Sequence, residues 1–199
     1  MIQESLTSPL PAWESFYVII GSSAGALTGL QFVVIALIAE SRRRTSPAQI
    51  SAFGTPTIVH FSFVLVLSSI LSAPWPALRG PDLMLGTAGM VGIVYVGIVT
   101  IRARRQKGCQ PVFEDWLWHV LIPFISYAVL LAAAIILGRS TTVALFLIGG
   151  ISITLLLAGI HNAWDTVTYI VIDRFLPDTK PDSAPEASPD AESEARDDA

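Results

Sequence analysis

Few side chains in this sequence can carry chemistry, and three of them are histidines in or beside long apolar stretches: His60, His119 and His161. Histidine changes its charge near neutral pH and binds metals, so it can relay protons or hold a cation. Asp165 follows His161 by four residues, which places both side chains on one face of a helix. Because a neutral histidine beside a carboxylate can pass on a proton, this pair and His60 are the first candidates for a site.

Other polar residues sit at similar places in the apolar pattern. Gln31 lies inside the first apolar stretch, Glu40 ends it, and Asn162 lies beside His161. Polar side chains inside a membrane are costly and mark pathways or interhelical contacts. The candidates for a pore or transport path are therefore His60, His161, Asp165, Asn162, Gln31 and Glu40. A structural role competes at each: rings at interface depth anchor helices, and Gln31 or His60 can hydrogen-bond a neighbouring helix.

Motifs for catalysis or metal binding are weak. The sequence has no HExxH, CxxC or paired-carboxylate spacing and no nucleotide-binding loop, so we expect no metal site, no cofactor and no nucleic-acid partner. Residues 21–25 match the G-x-S-x-G pattern of serine hydrolases around Ser23. That motif needs a tight strand-to-helix turn, whereas here it lies within an apolar run. The prediction is that the chain is not an enzyme.

The amino-acid composition indicates which secondary-structure elements position these polar side chains. The 199 residues are 52% apolar and 14% charged, with a mean hydropathy of +0.61. The uncharged runs are long enough, at about 20 residues, to cross a hydrocarbon core as helices, and they lack the alternation of barrel strands. We predict an all-α membrane bundle with helices at about residues 15–39, 53–73, 83–101, 116–138 and 140–172.

The bundle is predicted to occupy residues 15–176. Residues 1–14 form an extracytoplasmic N-terminal segment. Residues 177–199 carry eight acidic and two basic residues among Pro, Ser and Ala, so they form a disordered acidic tail. Short turns at residues 73–81 and 138–140 should make consecutive helices antiparallel neighbours, and Pro123 can kink the fourth.

Positive charge sets the predicted orientation. Seven basic residues lie in two of the loops and only Arg79 and Arg139 in the opposite ones, so the basic loops should be cytoplasmic. The N-terminus is then outside, the C-terminus is cytoplasmic, and all three histidines fall in the cytoplasmic half. The seven residues are also candidates for binding lipid headgroups: Arg42, Arg43, Arg44, Arg102, Arg104, Arg105 and Lys107.

Small residues predict where helices pack closely. Gly21, Gly25 and Gly29 recur every four residues on one face of the first helix, and Gly89 and Gly92 repeat the theme in the third. Such a face admits another backbone. The pattern leaves open whether the neighbouring helix belongs to this chain or to a second copy.

Part of the sequence resembles other proteins, and the resemblance implies a cellular location. The run from Phe16 through Gly21, Ala24-Gly25 and Leu27 to Val33, with the segment 161–165, resembles small uncharacterised bacterial multi-pass membrane proteins. It covers about a sixth of the chain. The resemblance implies a bacterial inner (cytoplasmic) membrane and carries over no activity and no binding residue.

Three functional hypotheses follow. One is an oligomeric channel or transporter for ions or protons with a polar vestibule on the cytoplasmic side. The alternative is a non-transporting membrane subunit or scaffold that docks a protein partner through the acidic tail or basic loops. An intramembrane enzyme comes last, because no nucleophile and base lie at matching depth.

The orientation can be tested by labelling. Single cysteines placed at the two chain ends, in a background where Cys109 is replaced by Ser, should react differently with a membrane-impermeant maleimide in intact cells. The N-terminal one should be labelled and the C-terminal one protected, because five crossings separate them. Equal labelling of both ends would contradict an odd number of crossings.

Overall fold

The computed structural model describes residues 10–40, 47–105 and 116–175, and every regular element in this part of the chain is helical. A short 3₁₀ turn, Leu10–Trp13, precedes the first helix. The long helices are α1 (Glu14–Glu40), α2 (Pro47–Ser72), α3 (Arg79–Arg105), α4 (a π-helical turn, Leu117–Leu121, that continues as α-helix over Ile122–Ile136) and α5 (Thr141–Phe175). The predicted helical fold with five helices long and apolar enough to span a membrane is confirmed.

Two helices begin earlier than the uncharged runs predict. α2 begins at Pro47, six residues before the predicted start at residue 53, and α3 begins at Arg79 and not at residue 83. The reason is that charge limits the hydrocarbon-spanning stretch but does not stop helical hydrogen bonding outside it. The prediction that residues 79–81 belong to the turn is therefore wrong. Pro81 fits because a proline in the first turn of a helix leaves no intrahelical hydrogen bond unmade.

The turn between α2 and α3 is closed by Trp75. Its indole Nε1–H donates to the carbonyl oxygen of Ile70 at 2.6 Å. The ring covers Gly80, where a Cβ atom would lie 2.5 Å from ring carbon Cε3. A side chain at position 80 would push this ring away, so the glycine is required by the close approach.

Packing order differs from chain order. α1 packs on α2, α2 on α5, α5 on α4, and α4 on α3. α2 and α3 are joined by a short turn but touch only along a small surface. The expectation that consecutive helices are packing neighbours thus fails for this pair, because α3 finds closer contact with α4. The helices alternate in direction, so one end of the bundle, here called the basic-loop end, holds the end of α1 and the start of α2. The opposite end is called the hairpin end.

Glycines mark the closest contacts between helices. A Cβ at Gly21 would lie 2.8 Å from Ser68 Cβ on α2, and one at Gly89 would lie 2.9 Å from the backbone nitrogen of Leu131 on α4. Gly92 faces the ring of Tyr127 at similarly close range. In contrast, Gly25 and Gly29 have no such neighbour within 4 Å. Among the described residues, the predicted glycine face of α1 therefore makes a close contact with another helix at Gly21 and not at Gly25 or Gly29.

The hairpin half of the bundle has an apolar core built from all five helices. Its buried members include Tyr17, Leu67, Leu71, Leu85, Leu130, Leu145 and Ile148. Tyr17 satisfies its hydroxyl there by donating to the carbonyl oxygen of Leu145 at 3.2 Å. This bond ties the start of α1 to α5.

The glycine contacts predict unequal effects of alanine. Gly89→Ala should lower the free energy of unfolding by about 1–3 kcal/mol, because the Leu131 backbone cannot move aside without shifting α4. Gly25→Ala is the matched control. Its methyl group meets nothing, and alanine favours helix by up to about 1 kcal/mol, so stability should be unchanged or higher. Unfolding in detergent, followed by helical circular dichroism, measures both, and equal losses would contradict the α3–α4 contact.

Candidate functional site

The most deeply buried ionisable side chain of the candidate set is His60, which is 1% exposed near the middle of α2. Because α2 begins at Pro47, His60 lies about three and a half turns from the start of the helix. Its Nδ1 lies 3.0 Å from the hydroxyl oxygen of Tyr127 on α4, which is fully buried. The other ring nitrogen, Nε2, is buried without a hydrogen-bond partner. One ring nitrogen of His60 is therefore hydrogen-bonded, and the other, here called the open nitrogen, has no partner.

Local features of α4 and α3 place Tyr127 in reach of α2. Pro123 lacks a backbone N–H and crowds the carbonyl four residues earlier, which accounts for the π-helical turn Leu117–Leu121 just before it. Gly92 on α3 leaves room for the phenol ring, and the ring of Phe63 packs on it with centroids 4.8 Å apart. The predicted kink at Pro123 is thus a widened helical turn.

Asn162 on α5 is the second buried polar group without partners. It is 1% exposed, and neither Nδ2 nor Oδ1 makes a hydrogen bond. Gly159, one turn earlier, lies directly against the ring of Phe61 on α2. Since α2 and α5 run in opposite directions, Asn162 lies at the level of Thr57, a buried residue one turn before His60. We call His60, Thr57, Asn162 and Tyr127 the polar layer.

The polar layer contains buried atoms without hydrogen-bond partners, here called its open atoms, and these lower the stability of the fold. A buried donor or acceptor without a partner costs about 1–3 kcal/mol, and lipid supplies no substitute. His60 Nε2 and both amide atoms of Asn162 are in this state. A proton, a water molecule or a small polar solute that reached them would gain hydrogen bonds that the packed helices do not provide.

A second polar group lies nearer the basic-loop end. His161 stacks on the indole of Trp118, with ring centroids 4.0 Å apart and an interplanar angle of 23°. Its Nε2 is 3.1 Å from Asp165 Oδ2, an ion-pair distance, and this nitrogen is buried without a hydrogen-bond partner. The Asp165 side chain is half exposed. The pair therefore reaches the bundle surface through Asp165.

The structure divides the six transport candidates among separate places. His60 and Asn162 belong to the polar layer, and His161 with Asp165 lies at the bundle surface. Gln31, which is 4% exposed, lines a cleft between α1 and α5. Glu40 ends α1, and its side chain lies outside the described residues. A single vestibule containing all six is not found among the described residues.

The basic candidates are only partly described. Arg104 holds its guanidinium carbon 5.4 Å from the centroid of the Trp116 ring, a cation–π contact, and Arg102 is exposed. Arg105 ends α3, and nothing further is described of its side chain. Arg42, Arg43, Arg44 and Lys107 lie outside the described residues, as do residues 1–9 and the predicted acidic tail.

Sequence reasoning missed the partners of the histidines. Tyr127 lies midway along an apolar stretch, at a depth where few groups can satisfy His60, and a search for such a partner can single it out. Trp118 lies at the start of α4, and its stacking on His161 carries no sequence signal.

The structure also shows where the residues of the catalytic and metal-binding patterns lie. The hydroxyl of Ser23 donates to the carbonyl oxygen of Ile19 at 2.9 Å within uninterrupted α1, so its G-x-S-x-G match does not form a strand-to-helix turn. In the part of the chain that the structure describes, no three His, Cys, Asp or Glu side chains are grouped as a metal site requires.

Comparison with known proteins gives no match, whether with models of protein families, with curated proteins or with solved structures.

The hydrogen bond between His60 and Tyr127 predicts that two Tyr→Phe substitutions change the unfolding free energy by different amounts. Tyr127→Phe should cost about 1 kcal/mol of unfolding free energy, because it removes the hydrogen bond to Nδ1. Tyr95→Phe is the control, since the Tyr95 hydroxyl is buried with no partner and its loss should be neutral or stabilising. Denaturant titration in detergent gives both values. A loss at position 95 as large as that at 127 would contradict the assignment.

Proposed function

We propose that this protein transports protons or small ions across a membrane and that His60 is the side chain that takes up and releases the proton. The observation that carries the proposal is that the Nε2 atom of His60 is buried without a partner, at nearly the level of the unpartnered Asn162 amide. Histidine is the side chain whose ordinary charge change falls near neutral pH. Placing it here without a structural partner for Nε2 favours a role in proton movement.

The hydrogen bond to Tyr127 gives His60 a defined cycle. With the ring proton on Nδ1, that N–H donates to the Tyr127 hydroxyl oxygen, and the Nε2 lone pair can accept a proton. The resulting imidazolium keeps the same bond, because Nδ1 is a donor in both states. Tyr127 therefore orients the ring through the cycle, while Nε2 gains and loses the proton.

Delivery begins at the basic-loop end. Asp165 is exposed enough to collect protons from water, and His161 lies beside it at 3.1 Å. Asn162 follows His161 in the chain and faces the core, where its amide can bind a water molecule between the surface pair and the polar layer. The route thus runs from Asp165 through His161 and Asn162 to His60.

The hairpin half is the barrier in this proposal. Beyond the polar layer the core is apolar. Within it, the buried Ser68 hydroxyl has no hydrogen-bond partner and can bind a proton-carrying water molecule. Passage requires these helices to separate or a second copy to complete the path. The π-helical turn before Pro123 gives α4 a place to bend. The proposed location is the bacterial inner membrane that the resemblance implies, and the basic residues favour an orientation with the basic-loop end in the cytoplasm.

Flux measurements on the full chain in liposomes test the role of His60. A potassium diffusion potential drives protons, and an internal pH dye reports them. The wild type should acidify the vesicles faster than protein-free vesicles do. His60→Gln should lower the rate at least about tenfold, because glutamine can hydrogen-bond Tyr127 but cannot carry the proton.

Gln31→Met is the control, because it removes a buried polar side chain on α1, outside the proposed route. Its rate should stay within about twofold of the wild type. A folded His60→Gln protein that transports protons at the wild-type rate would contradict the role of His60 as the proton carrier.

A second candidate is a membrane subunit that packs against another protein chain. It is favoured by the face of α1 on which Gly25 and Gly29 have open space, beside the exposed side chains of Val18, Phe32 and Val33. Helices associate in lipid through such small-residue faces. Wild-type liposomes without proton flux would favour this candidate over transport.

A further inference from the structure

Two buried prolines lie at matching positions in α2 and α4. Pro56 stands four residues before His60, and Pro123 stands four residues before Tyr127. Both helices begin at the basic-loop end, so each proline lies about one turn toward that end from the hydrogen bond between His60 and Tyr127. A proline has no N–H for the helical hydrogen bond, and helices bend at such points. Two helices of the bundle can therefore bend at one level.

The start of α4 is held less firmly than the rest of that helix. None of the residues in the π-helical turn Leu117–Leu121 is buried, whereas six residues of Ile122–Ile136 are buried. The backbone N–H of Ile122 donates to the carbonyl oxygen of Leu117, five residues earlier, so this turn is wider than an α-helical one. Few buried contacts and a widened turn make this the part of α4 that separates most easily from the bundle.

A ring stack joins the π-helical turn to α5. The indole of Trp118 lies on the imidazole of His161, with ring centroids 4.0 Å apart. His161 is followed by Asn162, whose buried amide has no hydrogen-bond partner. At this level the interior is therefore enclosed by the start of α4 and by α2 around Thr57. On the other side, Arg104 of α3 lies over the Trp116 ring just before the turn, and its long side chain can follow a movement of that ring.

The hairpin sides of α2 and α4 are fixed by close backbone contacts. A Cβ at Gly89 would lie 2.9 Å from the backbone nitrogen of Leu131 on α4, and one at Gly21 would lie 2.8 Å from the Cβ of Ser68 on α2. Contacts this close resist separation, because the packed atoms have no room to slide. Bending at the prolines thus moves the basic-loop side of each helix and leaves the hairpin side in place.

We propose that the π-helical turn Leu117–Leu121 is a gate over the polar layer. In the open state the turn swings away from α5 about the bend before Pro123, and Trp118 leaves His161. Water from the basic-loop end then reaches the Asn162 amide and the open nitrogen of His60. The bend at Pro56 lets the start of α2 move as well. The gate rests on the proposed function for its use, but its test measures the entry of a water-soluble reagent and not proton flux.

Modification of a buried cysteine tests the gate on the full chain in detergent. Thr57→Cys, in a background where Cys109 is replaced by Ser, places a thiol at a fully buried position at the level of Asn162. A small charged methanethiosulfonate reacts with the thiolate form, which needs contact with water. This reporter protein should react slowly, because the closed structure buries position 57 completely.

Trp118→Ala in the reporter protein should raise the rate of modification about five- to tenfold, because it removes the ring stack that holds the gate closed. Trp164→Ala is the matched control. It removes an indole from α5 two residues after Asn162, but this ring is 70% exposed and lines the cleft beside α1. Its rate should stay within about twofold of the reporter protein's.

Pro123→Ala tests the bend. It restores a backbone N–H and should lower the rate at least about threefold, because a regular helix bends less readily. This variant keeps the ring stack, so it tests the gate even if Trp118→Ala does not fold. Equal rates in the reporter protein, Trp118→Ala and Pro123→Ala would overturn the proposal, and so would an equal rise in Trp164→Ala. A rate that responds to Trp118 in a protein without proton flux would support the gate and contradict proton transport alone.

Discussion

Lipid cannot hydrogen-bond a polar side chain, and the structure of this protein depends on how it handles the few polar groups that it buries. Most of the buried or half-buried hydroxyls solve the problem locally. Ser126, Ser152 and Thr28, for example, each donate to the carbonyl oxygen four residues earlier in their own helix. His60 has no such local solution, because an imidazole cannot fold back onto its own backbone in this way. Its bond to Tyr127 must cross from α2 to α4, so the arrangement of at least two helices depends on it.

Close packing makes that crossing bond geometrically possible. Gly92 accepts the face of the Tyr127 ring, and Gly159 accepts the ring of Phe61, so that α3 approaches α4 and α5 approaches α2. Apolar attraction between helices is weak in lipid, and contacts of this kind supply much of the association. The same contacts enclose Asn162 and the open nitrogen of His60. Tight packing and unsatisfied polarity therefore occur at the same level of the bundle, which is why this level is the best candidate for function.

The buried polar side chains of the bundle face two different surroundings. The polar layer lies in the interior between α2, α4 and α5, whereas the Gln31 cleft opens sideways between α1 and α5. α5 contributes to both, with Asn162 facing the core and Ala163 and Trp164 facing the cleft. Neighbouring positions on a helix point about 100° apart, so one segment of α5 faces both the interior and the cleft.

The sequence by itself determined the elements. Five uncharged runs of sufficient length leave helices as the only way to satisfy the backbone in lipid, and the turn at Gly138-Arg139-Ser140 appears as predicted. It also made His60 one of the first candidates for a site. It did not give the helix ends, since Arg79 and Pro47 lie outside the apolar runs yet belong to the helices.

Only the tertiary structure decided which groups meet. His60 and Tyr127 are 67 residues apart, and no periodicity within one helix records which face of another it will touch. Likewise Gly89 and Gly25 look alike in the sequence, but only Gly89 has a neighbouring backbone. The physical reason is that hydropathy fixes how far each helix runs through the membrane, while the choice of neighbours depends on the complementary shapes of all five helices together.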